Sequence, residues 1–399
     1  MPGFYAASLL AGRSLLWHLS SLMSGLTARG FRRAIMQTRG NLALQAYGEF
    51  CGMKGKATSF DIAYLAGVSQ STVSRALRDS PAVNQETKDK IFAIAKQLNY
   101  KVDKNASNLR KQCSGTLALL LFEDPTVDDS QINPFFLSML GSITRACTKR
   151  GHDLLISFQQ LSNDWHADYE DSKKADGIIL LGYGDYIDYE EKLQQLLAQQ
   201  THFVCWGAQV EGHPEFTIRS NNREGGRQAA THLLELGYRS FAFIGIASDH
   251  APEFFERYQG YLDVLAEHGI RPQDVPQFDA ISTEQAGYSA TQQLFAAGHR
   301  PRAIFTASDL IAIGVIRAVQ AAGLRVPEDV AVVGFDDIPM ASFCTPPLTT
   351  IQQNTTLAGE MLVVNLLKLI AQESISQTEI EPKMIVRRSC GSTQVTSTS

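Results

Sequence analysis

Residues 66–77 hold short polar side chains at a spacing suited to reading the edges of base pairs. The stretch runs Ala-Gly-Val-Ser-Gln-Ser-Thr-Val-Ser-Arg-Ala-Leu. Ser69 can cap a helix there, and Val73 and Ala76 lie at the spacing of its buried face. The exposed face then carries amide, hydroxyl and guanidinium groups, from Gln70, Ser71, Thr72, Ser74 and Arg75. Such short side chains let a helix lie deep in the major groove of DNA, within reach of the bases.

Helices predicted on either side complete a helix-turn-helix domain over residues 56–103. The first helix begins at a Thr58 or Ser59 cap, and Gly67 ends it because glycine takes positive φ without strain. Asn84 caps a third helix, whose apolar face is formed by Ile91, Ile94, Ala95 and Leu98. A glycine-containing turn between two helices, the second with a polar start, is typical of DNA-binding domains. A generic three-helix bundle is the alternative.

Residues 104–114 form a polar, basic linker. Leu109 is the one leucine in it. A lone apolar residue in such a segment is usually a surface residue that packs partly on a neighbour. Beside positive charges, however, an apolar side chain can also enter a base step from the minor groove and kink the duplex.

From residue 115 to residue 391, short apolar runs alternate with amphipathic helical stretches. The apolar runs occupy 116–122, 153–158, 177–181, 203–206, 241–246, 303–306 and 330–335. The helical stretches end in glycine, at Gly151, Gly237, Gly269, Gly298 and Gly323. This order is typical of doubly wound parallel sheets, and the body is longer than one such sheet needs. We therefore predict a small all-α head and an α/β body of two parallel-sheet lobes with a ligand cleft between them.

Five residues near strand or turn ends are candidates for binding a ligand in that cleft. Phe135 and Phe136 could stack on a sugar face or a heterocycle, although core packing is the alternative and fits one of the two. Arg257 at a helix start suits hydroxyl or carbonyl oxygens, with a surface salt bridge as the alternative. Asp309 closes a strand and opens a helix, where a role as N-cap alone would explain it. Trp206, at the end of another strand, is a further stacking candidate.

Charge is divided unevenly along the chain. The net charge is −5, but residues 1–55 carry +5, residues 56–112 carry +5 and residues 113–399 carry −15. A basic head on an acidic body indicates that the head binds polyanions. The six cysteines lack C-x-x-C spacing and the nine histidines lack helical pairing, which predicts no metal site and a reducing compartment. No phosphate-binding loop or nucleophile elbow occurs, so we expect no cofactor and no enzymatic activity.

The two ends of the chain are expected to lie outside the folded domains. Residues 1–55 are interpreted as an extension: a translated upstream segment with Met53 as the true start, an unstructured or weakly helical tail, or a targeting sequence resembling a transit peptide. Residues 392–399 form a short polar tail, which is too short for a tetramerising coiled coil. No apolar run is long enough to span a bilayer, so no membrane contact is expected.

From residue 58 to about residue 391 the chain resembles the lac repressor and galactose repressor family of bacterial transcription regulators. Residues 66–69 and 71–75 match the family signature residue by residue. Asn-Pro-Phe-Phe at 133–136, Arg-x-x-Gly-Tyr at 257–261 and Ser-Asp-x-x-Ala-x-Gly at 308–314 match segments that line the family's effector cleft. The resemblance implies two lobes of the periplasmic-binding-protein type. It also assigns parts of 326–351 to fold, interlobe crossover and dimer contact rather than chemistry.

The resemblance also implies roles for single residues. Gln70 and Ser71 stand where the family reads bases, and Leu109 stands where a hinge helix inserts leucine. Contacts with phosphates or neighbouring base edges are implied for Ser69, Thr72, Ser74, Arg75, Asn84 and Tyr100. The chain departs from the family pattern at Val102, where proline is usual, and at Ser107, where a basic residue is common. Ser220 likewise replaces an acidic residue, which puts a ligand contact there in doubt.

These observations predict a cytoplasmic, homodimeric transcription regulator, and a repressor is favoured over an activator. It would bind a palindromic operator in double-stranded DNA and respond to a small-molecule effector, preferably a saccharide. A periplasmic sugar-binding protein would have a similar two-lobed body but would leave residues 58–111 unexplained. An enzyme of nucleotide or sugar metabolism that uses the same cleft is the other alternative.

Overall fold

A computed structural model describes residues 57–100, 113–122, 132–159, 163–207 and 209–392. They belong to two compact units, the first holding residues 57–100 and the second holding the rest. The predicted extension, the linker residues Val102, Ser107 and Leu109, and the last residues of the tail lie outside the described residues.

The first unit is formed by three helices at the predicted places: α1 (Ser59–Ala66), α2 (Gln70–Ala76) and α3 (Gln85–Gln97). At the start of α1, the Asp61 carboxylate accepts hydrogen bonds of 2.8 Å from both the N–H and the hydroxyl of Thr58. Gly67 follows α1 at φ 70°, which confirms its predicted role as a helix stop. Ile62, Val73 and Ile91, one from each helix, are fully buried against one another. Burial of these side chains holds the short helices together.

The second unit contains two six-stranded sheets, which confirms the predicted pair of lobes. The N-lobe sheet has the order β11-β5-β4-β3-β1-β2, with β1 at Thr116–Leu121, β2 at Asp153–Phe158, β3 at Ile178–Leu181, β4 at Phe203–Trp206, β5 at Thr217–Ser220 and β11 at Thr378–Ile380. The C-lobe sheet has the order β12-β10-β9-β8-β6-β7, with β6 at Phe241–Ile244, β7 at Gln277–Phe278, β8 at Ala303–Thr306, β9 at Ala331–Asp336, β10 at Thr349–Gln352 and β12 at Lys383–Ile385. Neighbouring strands are parallel except for β10 and β12.

Helices cover the sheets, and those described in this unit are α4 (Pro134–Lys149), α5 (Tyr186–Ala198), α6 (Asn222–Glu235), α7 (Pro252–Glu267), α8 (Glu284–Ala296), α9 (Asp309–Ala321) and α10 (Thr355–Ile370). The inner strand β1 is buried on both faces: Leu117 and Leu119 belong to one apolar cluster, Ala118 and Leu120 to another. Burial on both faces explains why this strand reads as a continuous apolar run rather than as an alternating one.

The chain passes between the lobes three times. β5 lies in the N-lobe sheet, whereas the helix after it, α6, packs on strands of the C-lobe. β10 lies in the C-lobe sheet, and α10 returns to pack on the N-lobe strands β3, β4 and β5. The last passage joins β11 to β12. Each lobe is therefore built from separate stretches of sequence.

Glycines bring two pairs of helices into backbone contact. At the crossing of α6 and α7, a Cβ on Gly226 would overlap the carbonyl oxygen of Arg257, and one on Gly260 would overlap that of Arg223. At the crossing of α8 and α9, Gly287 and Gly314 face backbone atoms of the opposite helix in the same way. Both crossings are close because these positions have no side chain.

Candidate effector cleft and DNA-reading helix

A cavity of about 750 Å³ lies between the two lobes of the second unit. Its walls include residues at or just after the carboxyl ends of strands, such as Phe122 after β1, Tyr183 after β3, Trp206 in β4 and Asp336 in β9. This is the edge at which parallel α/β sheets bind ligands. A volume of this size accommodates a small organic molecule of one or two rings.

Arg257 is the buried cation of the cavity. Its Nε donates to Oδ1 of Asn222 at 2.9 Å, and Nη1 donates to the carbonyl oxygen of Ala307 and lies 3.8 Å from Oδ1 of Asp336. Its guanidinium also stacks 3.8 Å from the ring centre of Phe335. Burial lowers the pKa of Arg257, and the charge of Asp336 opposes that shift. The alternative of a surface salt bridge is wrong, because Arg257 is buried. Its predicted position at a helix start is also wrong, since Arg257 lies in the second turn of α7.

Asp336 faces Arg257 and also lines the cavity, although the sequence did not predict it as an effector-binding residue. Its carboxylate accepts a hydrogen bond of 2.7 Å from the amide of Gln353, in the segment that leads back to the N-lobe. Burial raises the pKa of Asp336 to about 6, against the lowering influence of the nearby guanidinium. The neighbouring Asp337 turns elsewhere and receives a hydrogen bond of 2.6 Å from Arg387. The segment 334–337 therefore lines the cavity in addition to its place in the fold.

The predicted aromatic residues all reach the cavity, but to different extents. Phe135 is 5% exposed and belongs to the core, as expected for one of the pair, while Phe136 is half-buried at the cavity wall. Trp206 is 6% exposed, and its ring centre lies 6.0 Å from that of Phe135. Four further aromatic residues line the cavity without having been predicted: Phe122, Phe158, Tyr183 and Phe254. Flat apolar walls of this kind suit the face of a sugar ring or a heterocycle.

Asp309 does not fit its predicted roles. It is fully buried as the first residue of α9 and is not among the described residues that line the cavity. Its carboxylate accepts hydrogen bonds from the Thr350 hydroxyl at 2.5 Å and the Ile338 N–H at 2.8 Å. Burial raises its pKa well above the ordinary range. The N-cap of α9 is Ser308, and the Asp309 carboxylate ties α9 to neighbouring C-lobe segments.

Hydrogen bonds across one mouth of the cleft join residues 183–186 of the N-lobe to residues 248–253 of the C-lobe, a contact that we call the clasp. The Tyr183 hydroxyl donates to the Glu253 carboxylate. Nδ1 of His250 donates to Asp185 at 2.7 Å, and the carbonyl of His250 accepts from the Tyr186 N–H at 3.1 Å. Because these bonds span the lobes, they stabilise the arrangement of the two lobes in which they form.

The clasp should make lobe closure depend on pH. The hydrogen bond to Asp185, with its charge, raises the pKa of His250, and Asp249 and Asp188 act in the same direction. The same bond lowers the pKa of Asp185. The contact is therefore fully present below the ordinary histidine pKa and is lost as pH rises through the raised pKa of His250.

We expect the radius of gyration, measured by small-angle X-ray scattering, to be larger at pH 8.5 than at pH 6. In His250→Gln this difference should disappear. His213→Gln provides the control, since His213 is an exposed histidine that pairs with Glu215 within the N-lobe. A pH dependence that survives in His250→Gln would contradict the assignment.

In the first unit, the predicted DNA-reading residues share the N-terminal part and exposed side of α2. Ser71 and Arg75 are exposed, and Gln70 is half-buried with its amide donating to the Ser59 hydroxyl at 3.0 Å. That bond fixes the direction of the Gln70 side chain from α1. Ser69 caps α2 by accepting from the Thr72 N–H at 3.2 Å.

The other DNA-contact candidates lie around this helix. The Ser74 hydroxyl accepts from Arg78 at 3.1 Å. Asn84 is exposed and caps α3, accepting from the Thr87 N–H at 2.8 Å. Tyr100 packs partly buried against the head core. The candidates near α2 thus form one polar surface, while Asn84 lies at the start of the next helix.

The described residues contain neither a metal site nor a membrane-spanning helix. No cluster of histidine, cysteine and acidic side chains there could hold a metal ion. The helices of residues 57–392, as far as they are described, are too short or too polar to cross a bilayer.

Two family descriptions match the chain: "Bacterial regulatory proteins, lacI family" over residues 60–103, and "Periplasmic binding protein-like domain" over residues 230–390. The ribose operon repressor of Escherichia coli (strain K12) is 31% identical over 330 residues, which cover 82% of this chain and 96% of the relative. The probable HTH-type transcriptional repressor ExuR of Bacillus subtilis (strain 168) is also 31% identical, over 82% of this chain and 98% of the relative.

Solved structures agree with these relatives. A complex of the transcriptional regulator CelR with cellobiose is 28% identical, with a TM-score of 0.61, and the match covers 84% of this chain and all of that one. The lac repressor bound to ONPG in its repressed state is 25% identical, with a TM-score of 0.68, over 84% of this chain and 99% of that one. With a helix-turn-helix head and a two-lobed body in the order found in these proteins, the chain belongs to the lacI family of bacterial regulatory proteins and is a DNA-binding transcription regulator.

Proposed function

We propose that this protein is a repressor that acts in the cytoplasm as a homodimer on a palindromic operator and is controlled by a saccharide. The observation that carries the proposal is the combination of a polar reading helix, α2, with a separate two-lobed unit that encloses a cavity. A single head offers few base contacts, and two heads on a palindrome double them.

In this proposal α2 lies in the major groove. Gln70 and Ser71 contact base edges, while Ser69, Thr72, Ser74, Arg75, Asn84 and Tyr100 contact phosphates or neighbouring edges. Leu109 enters a base step from the minor groove when the linker is ordered on DNA. Residues 57–100 carry five basic and four acidic side chains, so most of the positive charge of 56–112 lies in the linker. Much of the salt-dependent affinity for DNA would therefore come from the linker.

The effector would bind in the cavity and change how the two lobes close. A ligand shifts this equilibrium only if it binds the open and closed states with different affinity. Contacts from both lobes, such as Arg257 and Asp336 from one and Trp206 and Phe136 from the other, provide that difference. The similar CelR structure is a complex with cellobiose, and the similar relative from Escherichia coli is the ribose operon repressor, which supports a saccharide.

The central experiment measures binding of the full chain to duplex DNA from its own promoter region, with salt and candidate sugars varied. Gln70→Ala should weaken operator binding about ten-fold or more, because a lost base contact costs about 1–3 kcal/mol, while binding to unrelated DNA stays the same. Gln85→Ala on the exposed start of α3 is the matched control. Equal operator affinity of Gln70→Ala and the wild type would contradict the reading role of Gln70.

The same measurement separates the proposal from its rivals. A sugar-binding protein without a DNA role, or an enzyme that uses the cleft, would bind no promoter fragment even at low salt. A repressor should bind with an affinity that falls as salt is raised and that changes when its effector is added.

A further inference from the structure

Glu253 is an acidic residue of the cavity that, unlike Asp336, forms no ion pair with Arg257. It is the second residue of α7 and lines the cavity from the C-lobe. The hydroxyl of Tyr183 donates to one carboxylate oxygen. The other lies against Gly207, where a Cβ would overlap it, so the glycine at φ 114° leaves the space that the carboxyl group occupies.

The charged groups of the cavity are unbalanced. Among the described residues that line it, three are acidic (Glu253, Glu284 and Asp336) and one is basic (Arg257). Arg257 faces Asp336 at 3.8 Å, and Glu284 is paired with Arg317. Glu253 receives its hydrogen bond from a neutral phenol. Arg257 pairs with Asp336, and within the described residues Glu253 forms no ion pair. Burial raises the pKa of the Glu253 carboxyl, and the hydrogen bond from Tyr183 and the charge of Arg257 oppose that rise.

This imbalance selects against acidic ligands. A phosphate or carboxylate in the cavity would be placed near Glu253 in surroundings where water is scarce and repulsion is weakly screened. Carboxylate oxygens, by contrast, accept hydrogen bonds from hydroxyl groups, and the aromatic walls suit the apolar face of a sugar ring.

We propose that the cleft takes a saccharide that bears no phosphate or carboxylate, and that Glu253 is the residue that excludes the acidic sugars. The proposal rests on the effector role assigned above to the cavity. A hydroxyl of the ligand donates to Glu253, on the carboxylate that also receives the Tyr183 hydroxyl. Because Tyr183 and Glu253 belong to different lobes, a ligand hydroxyl bound to Glu253 acts directly on a hydrogen bond of the clasp.

The test uses the full-length protein and matched sets of sugars: glucose, glucuronate and glucose 6-phosphate; galactose and galacturonate; ribose and ribose 5-phosphate; cellobiose and cellobionate. A thermal-shift screen identifies the set that binds, and titration calorimetry then measures each member. In the wild type we expect the neutral member to bind about ten-fold or more tightly than its acidic partners, the size of effect that one unfavourable charge in a partly buried site produces.

Glu253→Gln should reduce the difference in affinity between the neutral sugar and its acidic partners. Glutamine keeps the size of the side chain and can still accept the Tyr183 hydrogen bond, but it carries no charge. Tighter binding of the acidic member is the expected change. Glu267→Gln is the matched control, because this carboxylate lies at the other end of α7, pairs with Arg227 and does not line the cavity; there the preference should stay as in the wild type.

Three results would overturn the inference: an acidic sugar that binds the wild type at least as tightly as its neutral partner, a preference unchanged in Glu253→Gln, or no shift with any sugar of the panel. The proposed regulator function fails by a different result, which is absence of operator binding by the unliganded wild-type protein. The two failures are therefore distinguishable.

Discussion

Arg257→Ala is expected to abolish the effector response and to lower the stability of the body more than other single changes in the cleft. The guanidinium faces the buried carboxylate of Asp336 and holds Asn222 and the Ala307 carbonyl by hydrogen bonds. Removing one partner of a buried ion pair leaves the other charge uncompensated, which costs about 3–5 kcal/mol. Urea unfolding followed by fluorescence would measure the loss of stability.

Arg257→Lys separates the binding role from stability. Lysine retains the positive charge opposite Asp336 but lacks the planar fork that contacts Asn222 and Ala307 together. We expect a folded protein that still binds operator DNA and binds the effector more weakly by about ten-fold or more, the cost of one lost hydrogen bond between the guanidinium and the effector. Arg271→Lys, in an exposed pair with Asp274, is the control and should behave as the wild type. Normal effector affinity in Arg257→Lys would remove Arg257 from the binding site.

Gly260→Ala should strongly destabilise the C-lobe. Its Cβ would overlap the Arg223 carbonyl oxygen across the crossing of α6 and α7, where backbone atoms cannot move aside as a flexible side chain can. Separation of the two helices is the only relief. Overpacking of this kind costs about 3 kcal/mol or more, which would shift the urea midpoint of unfolding strongly downward.

Gly141→Ala in α4 is the matched comparison for this prediction. It is also a helical glycine, but nothing lies within 4 Å of the position that its Cβ would take. Alanine should therefore stabilise the protein by about 0.5–1 kcal/mol through its higher helix propensity. Similar unfolding midpoints for the two variants would contradict the close contact at Gly260.

The buried strands and the helix ends were predictable because each has a local cause. Strands such as β1 and β9 are covered on both faces and so read as apolar runs. The predicted glycine stops have positive φ, as at Gly151 and Gly323. The short strands were not predicted: β7 has two residues and β11 has three. Such edge strands are specified by the neighbour with which they pair, and their own sequence carries little signal.

The site was only partly predictable because it is assembled from both lobes. Asp336 had a usable signal, since it directly follows an apolar run and strand ends of parallel sheets meet at the cleft. Glu253 had none beyond its place at a helix start, and its partner Tyr183 lies 70 residues away in the other lobe. Asp309 has the same strand-end signal as Asp336, but its carboxylate accepts hydrogen bonds from the Thr350 hydroxyl and the Ile338 N–H. Sequence position alone cannot distinguish the two aspartates.

The three passages between the lobes also constrain how the protein is made. The N-lobe sheet receives its last strand, β11, only at Thr378–Ile380, and the C-lobe sheet receives β12 immediately afterwards. On the ribosome, neither sheet can be completed until β11 and β12 have been synthesised, so the two lobes must mature together. The head, whose three helices are contiguous in sequence, can fold much earlier. A chain truncated before β11 would therefore carry a complete DNA-reading head on a body in which both lobes are unfinished.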